Sequence, residues 1–439
     1  MEPWVLVLLV MFGGVLFMIL LGLPVVMAFM TANLLGAIFY LGGEIGILQM
    51  IRNLRPSVGN YALAPVPLFV LMGEIMLQTG MAGRSIEAID KLIAKVPGRL
   101  SIVAVLGGTS FAALSGSSVA NAAVVGRTLL PKMQDLGYSN RLSVGPAVAV
   151  GGIAVLIPPS ALAVILGSLA KISINELLLS GIIPGVMMMA AFLGYIALRC
   201  WMNPALAPSG DVVDLSWSER LTPVLRDVVP LLLIFAAVVG SILGGVATPT
   251  EAAAIGVLAS IVAALAYRCL SLKTLFDSFT ESTKFSAMIL FIICSSGTFS
   301  QIMSFSGATQ ALTRAVVDGT ALTPFWIVVM MMLILILLGC FMESASIIML
   351  TVPIFFPILN ALQVDLLWFG LMMLVSLEIG LCTPPFGILL FVIQGVLGGR
   401  ISIREIYLSV LPFIGLQLVV LGLILVFPGL ITWLPRMLQ

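Results

Sequence analysis

Apolar runs long enough to cross a bilayer recur from one end of the chain to the other, separated by short polar breaks. About 17–25 residues span roughly 30 Å of hydrocarbon, and runs at 4–21, 23–42 and 62–80 predict the first three helices. A stretch at 82–97 carries Arg84, Glu87, Asp90, Lys91 and Lys95 among apolar residues, the pattern of a helix lying along the membrane surface. The run 100–133 is interrupted by Ser115-Gly116-Ser117-Ser118, and 143–170 by Pro158-Pro159-Ser160, whereas 176–198 is continuous. A polar connector follows, from Asn203 to Asp227. The pattern then begins again, with helices near 228–243, 248–268 and 285–306 and amphipathic stretches at 271–284 (Lys273, Asp277, Glu281, Lys284) and 308–318. The run 322–359 is interrupted at Glu343-Ser344-Ala345-Ser346 and 366–397 at Thr383-Pro384-Pro385, and 405–430 closes the chain.

The two halves also match residue by residue. Ile75, Met76 and Gly80 correspond to Ile302, Met303 and Gly307 at an offset of 227. Ser118, Pro131, Pro158 and Pro159 correspond to Ser344, Pro357, Pro384 and Pro385 at 226, and Lys171–Glu176 corresponds to Arg400–Glu405 at 229. Near-constant spacing across three blocks marks an internal repeat. Each interrupted run after the amphipathic stretch is too short for two full crossings and reads as a re-entrant hairpin whose polar tip stops midway, shielded by protein. Five crossings plus one hairpin per half is an odd count, so the second half is expected upside down. The expected fold is therefore an all-α polytopic membrane protein of two inverted repeats with broken helices. The first repeat is 1–205 (scaffold 1–97, hairpin and broken helix 98–200) and the connector 206–227. The second repeat is 228–439 (scaffold 228–320, hairpin and broken helix 321–430).

Charge orients this plan. The face of the N-terminus receives Arg52, Arg55, Lys171, Arg314 and Arg436, and the other face receives the remaining 15 basic residues. The richer face is cytoplasmic by the positive-inside rule, which puts both termini in the periplasm. With 61% hydrophobic and 9% charged residues, the chain cannot furnish the charged shell of a soluble domain. A net charge of +1 argues against a nucleic-acid partner. No Lys or Arg precedes the first run, so it reads as a retained membrane helix rather than a signal peptide. The five cysteines are scattered and read as packing residues. The absence of histidine removes Ser–His and Cys–His nucleophile pairs, and no phosphate-binding GxxxxGK[ST] occurs.

The chemistry left to the chain lies in the breaks. Ser115–Ser118 offers hydroxyls and unwound carbonyls, with Asn121 one turn on, while Pro159 disrupts the helix at Ile157–Ser160 and frees carbonyls there. Two such breaks facing each other make an oxygen cage with helix ends pointing in, suited to Na+ or to a substrate carboxylate. The repeat supplies a second cage from Glu343, Ser344 and Ser346 with Gly380, Thr383 and Pro384. Small polar residues also serve simple helix packing, but breaks at equivalent places in both halves favour a site. Glu74, Glu251, Glu343 and Glu378 lie within or near apolar spans, where a carboxylate is costly and is either functional or paired. Glu343, inside a hairpin break, ranks first and Glu378 second.

The run Gly107-Gly108-Thr109-Ser110-Phe111-Ala112-Ala113-Leu114-Ser115-Gly116-Ser117-Ser118 resembles the first hairpin of the large membrane subunit of tripartite ATP-independent periplasmic (TRAP) transporters. Ile157-Pro158-Pro159-Ser160, Cys382-Thr383-Pro384-Pro385-Phe386-Gly387 and Pro67–Glu74 resemble the same family, over essentially the whole chain. The resemblance implies Na+-driven uptake of an organic acid (a dicarboxylate, sialic acid or another sugar acid) by an elevator motion in the bacterial inner membrane. A periplasmic binding protein would deliver the substrate, and a small membrane subunit of about four helices, here a separate polypeptide, would pack alongside. On that reading Ser115, Gly116, Ser117, Ser118, Pro158 and Ser160 hold one Na+. Glu343, Ser344, Ser346, Gly380, Thr383 and Pro384 hold a second. The substrate carboxylate sits between the tips, near Ser117, Asn121, Ser160, Ser344 and Pro385. Two other readings stay open. A stand-alone Na+- or H+-coupled carboxylate carrier could share the fold without a binding protein. An intramembrane hydrolase would need a base that the predicted spans do not provide.

Overall fold

The computed structural model describes residues 2–93, 96–208 and 216–437. Among the described residues the chain is helical without strands, and eight helices are long and apolar enough to cross a membrane. Large apolar side chains such as Leu233, Leu258, Val262, Leu333 and Leu337 point outward and are exposed. Water would penalise such a surface, and lipid does not. A continuous core runs the length of the molecule, including fully buried Phe29, Phe111, Phe299 and Phe413.

The same order of elements occurs twice. In the first half Pro65–Gln78 leads into the amphipathic helix Met81–Leu92, then two packed arms, Arg99–Ser115 and Ser118–Asp135. A broken helix follows, Asn140–Ala149 and Ala161–Ala170, then Ile174–Ser180 and Ile182–Met202. In the second half Leu272–Phe305 leads into Ala308–Val317, the arms Pro324–Gly339 and Ser344–Ala361, the broken helix Leu366–Cys382 and Ile388–Leu397, and Ile403–Val426. Local chemistry repeats with it. Gly80 (φ 71°) and Gly307 (φ 74°) each open an amphipathic helix in the left-handed conformation that a side chain resists. Ser173 and Ser402 each cap a helix by accepting from the backbone N–H of Glu176 and Glu405. Pro158–Pro159 and Pro384–Pro385 are both cis.

The halves interlock reciprocally. Ala161–Ala170 packs on the hairpin arm Ser344–Ala361, and Ile388–Leu397 packs on Ser118–Asp135. At the hairpin tips Ser115, Ser118, Met342 and Ser344 are buried, while Phe341 is exposed.

Four boundaries differ from those expected. The segments 271–284 and 285–306 form one 34-residue helix, Leu272–Phe305, because no proline interrupts it and no glycine falls where the two segments meet. At about 1.5 Å per residue it is some 50 Å long, so its charged first third extends beyond the hydrocarbon. The connector 206–227 is partly helical: Ser216 and Glu219 form a reciprocal capping box that starts a helix at Trp217, continuous to Leu243. Residues 209–215 of that connector, and Lys95 of the first amphipathic stretch, lie outside the described residues. An unanticipated amphipathic helix, Glu44–Val58, is held to the long helix by reciprocal amide hydrogen bonds between Asn53 and Gln301. The final run ends at Val426 and is followed by a further short helix, Gly429–Met437.

Glycine lets the second hairpin meet its broken helix. A Cβ on Gly380 would lie 2.6 Å from the Gly339 Cα, and one on Gly339 would lie 2.7 Å from the Gly380 Cα. Gly380→Ala is therefore expected to destabilise the protein by about 1–3 kcal/mol. Gly415→Ala, where nothing lies within 4 Å of the new methyl, should not. Thermal unfolding of the two purified variants in detergent checks the contrast.

Candidate ion and substrate site

In the first half, the hairpin tip and the helix break touch through backbone. Gly116 takes a left-handed conformation (φ 58°), and a Cβ there would stand 2.7 Å from the Pro159 carbonyl oxygen. Ser117 caps the second arm, accepting from the Ala120 N–H at 3.3 Å, and Ser160 caps Ala161–Ala170, accepting from the Ala163 N–H at 3.2 Å. Both arms that leave the breaks thus begin with a serine at a helix N-terminus, where the macrodipole favours an anion. Ser115 is buried with its Oγ 3.5 Å from the Ser117 N–H. Asn121, fully buried, donates to the Val150 carbonyl at 3.0 Å, and its Oδ1 has no partner. The structure brings Ser115, Gly116, Ser117, Ser118 and the Pro158–Ser160 break into one locality.

The second half repeats the contact with other residues. Gly339 and Gly380 abut, and the rings of Phe341 at the hairpin tip and Phe386 after the break lie 5.5 Å apart. Glu343 occupies the N-cap of Ser344–Ala361 but makes no side-chain cap. Ser344 and Ser346 are buried, and neither hydroxyl has a hydrogen-bond partner. Unpartnered hydroxyls in a protein interior are costly, and both serines lie in the first turn of Ser344–Ala361. The Thr383 hydroxyl donates to the Ile379 carbonyl at 2.6 Å, leaving its lone pairs available. Pro385 is exposed, and its carbonyl accepts from the Tyr407 hydroxyl.

One hydrogen bond joins the two halves at this level. Ser118 Oγ donates to Glu378 Oε2 at 2.7 Å, linking the first hairpin to the second broken helix. Glu378 is fully buried and so is Gln417. Gln417 escaped the sequence reading; the signal available was a single amide inside an otherwise apolar helix. The other two carboxylates are peripheral. Glu251 is exposed in a capping box with Thr248, which explains its place at the start of an apolar run, and Glu74 accepts from Gln78 at 3.5 Å. A cleft of about 390 Å³ lies apart from the breaks, lined by Lys171, Ser296, Ser300, Ser304 and Asn360 among others. Lys171 ends the half-helix that Ser160 begins, about 15 Å away along its axis.

A family model described as the DctM component of the tripartite ATP-independent periplasmic transporters matches residues 12–430. The protein YgiK of Salmonella typhimurium, itself uncharacterised, is 33% identical over 98% of this chain and 97% of its own length. The C4-dicarboxylate TRAP transporter large permease protein DctM of Rhodobacter capsulatus is 28% identical over 98% of this chain and 99% of its own. The crystal structure of the Alcanivorax borkumensis YdaH transporter covers 89% of this chain, and 90% of its own, with a TM-score of 0.63 at 14% identity, a likeness of fold alone. The chain belongs to the DctM family, the large membrane component of the tripartite ATP-independent periplasmic transporters.

Proposed function

We propose that this chain is the permease that carries an organic acid inward with Na+, receiving it from a periplasmic binding protein and working beside a separate small membrane subunit. The observation that carries the reading is the pair of buried breaks, each a hairpin tip pressed on a broken helix, with unpartnered oxygens at Ser344, Ser346 and Asn121. Neutral oxygens at buried helix ends suit Na+, and helix N-termini suit the carboxylate of a substrate. A C4-dicarboxylate is the substrate named for the Rhodobacter relative, which supports a carboxylate here.

The first cage uses Ser115, Gly116, Ser117, Ser118, Pro158 and Ser160, and the second uses Glu343, Ser344, Ser346, Gly380, Thr383 and Pro384. The substrate lies between them near Ser117, Asn121, Ser160, Ser344 and Pro385. The repeats, 1–205 and 228–439, are inverted, with both termini in the periplasm. Hairpins and broken helices move as one block past the helices before them. The reciprocal packing of each half's broken helix on the other half's hairpin supports a single block.

Uptake into proteoliposomes holding this chain with its small partner tests the reading, using a panel of radiolabelled organic acids. Uptake of one acid should require both an inward Na+ gradient and the cognate binding protein. Uptake without the binding protein would instead identify a stand-alone carrier. Replacing Ser344 and Ser346 together by alanine should abolish Na+-driven uptake. The ion-free protein should melt no lower than wild type, because no hydrogen bond is lost. A large drop in ion-free stability would show that the two serines are packing residues.

A further inference from the structure

Glu378 is unusual among the polar groups of the interior. It is fully buried in the middle of the protein, on the second half's broken helix Leu366–Cys382. One oxygen accepts from Ser118, on the first half's hairpin, and the other has no partner. None of the described ion pairs involves it. Gln417, likewise fully buried, stands near it. Gly152, at the start of the first break, makes room for this group: a Cβ there would lie 2.6 Å from Gln417 Nε2 and 3.6 Å from the Glu378 Cβ.

A carboxylic acid in such surroundings keeps its proton unless a positive charge nearby sustains the carboxylate. None of the ion pairs among the described residues supplies one, while the first cage, a hydrogen bond away, offers only neutral oxygens. A cation there would leave a net positive charge inside the block unless an anionic group answers it. The Ser118 hydroxyl connects the two: its proton is committed to Glu378, so its lone pairs are free for a cation.

We propose that Glu378 is the counter-charge of the first cation cage. It acts through Ser118 as a positioning residue that orients this ligand and neutralises the bound ion across the boundary between the two halves. The carboxylate of the second half thereby tunes the ion site of the first. The inference rests on the Na+ reading above, and the experiment separates the two.

The test is the Na+-induced rise in melting temperature of the purified protein, titrated with NaCl at constant ionic strength against KCl. Glu378→Gln keeps an oxygen that can accept from Ser118 and removes the charge. It should melt as wild type does without Na+ and bind Na+ about 10- to 100-fold more weakly, as expected for a unit charge a few ångströms from the ion. Wild-type Na+ affinity in Glu378→Gln overturns the proposal while leaving the Na+ reading intact. No Na+-specific shift in the wild-type protein overturns both. If Glu378→Gln does not fold, Glu378→Asp, which keeps the charge, decides: a Na+-specific shift supports the proposal and its absence contradicts it.

Discussion

A helix broken inside a bilayer leaves backbone N–H and C=O groups that lipid cannot satisfy, and the rest of the molecule follows from that constraint. The chain answers each break with a hairpin tip and buries both. At Gly116 beside the Pro159 carbonyl and at Gly339 against Gly380, backbone meets backbone at distances no side chain would permit. The same order of elements in both halves serves this end. Each broken helix also packs on the opposite half's hairpin, so four interrupted elements shield one another, and the continuous helices around them present their apolar faces outward.

The two halves are not chemically equal. The first break caps its helices with Ser117 and Ser160, both of whose hydroxyls are engaged by backbone N–H groups. At the corresponding place in the second, Glu343 stands uncapped and the hydroxyls of Ser344 and Ser346 are idle. The first tip is therefore organised without a ligand, while the second carries unspent hydrogen-bonding capacity. The Ser118–Glu378 bond is the point where the two environments meet.

Much of this was legible in the sequence because bilayer thickness sets helix length and because Pro-Pro and Ser-Gly-Ser-Ser interrupt apolar runs unmistakably. The repeat was read from near-constant offsets, and corresponding residues have like local structure: caps at Ser173 and Ser402 and turns at Gly80 and Gly307. The less legible features depended on contacts distant in the chain. Helix Glu44–Val58 was hidden because its polar face reads as loop until Asn53 is seen to pair with Gln301, 248 residues away. The single helix Leu272–Phe305 was divided because charge changes along it while helical propensity does not. Glu251 resembled an intramembrane carboxylate because hydropathy does not distinguish a capping residue at a helix start from a charge within the span. Gln417 became visible only when Gly152 and Glu378 were found beside it.

The central claim is that equivalent ends of the two halves face opposite sides of the membrane. Lys171 and Arg400 correspond in the repeat, each following the second half of a broken helix. Single cysteines introduced by Lys171→Cys or Arg400→Cys into a cysteine-free background can be probed with a membrane-impermeant thiol reagent. Intact spheroplasts and inverted vesicles present the two faces. The account predicts labelling of the first from the periplasmic side only and of the second from the cytoplasmic side only. Labelling of both from the same side would contradict an inverted repeat.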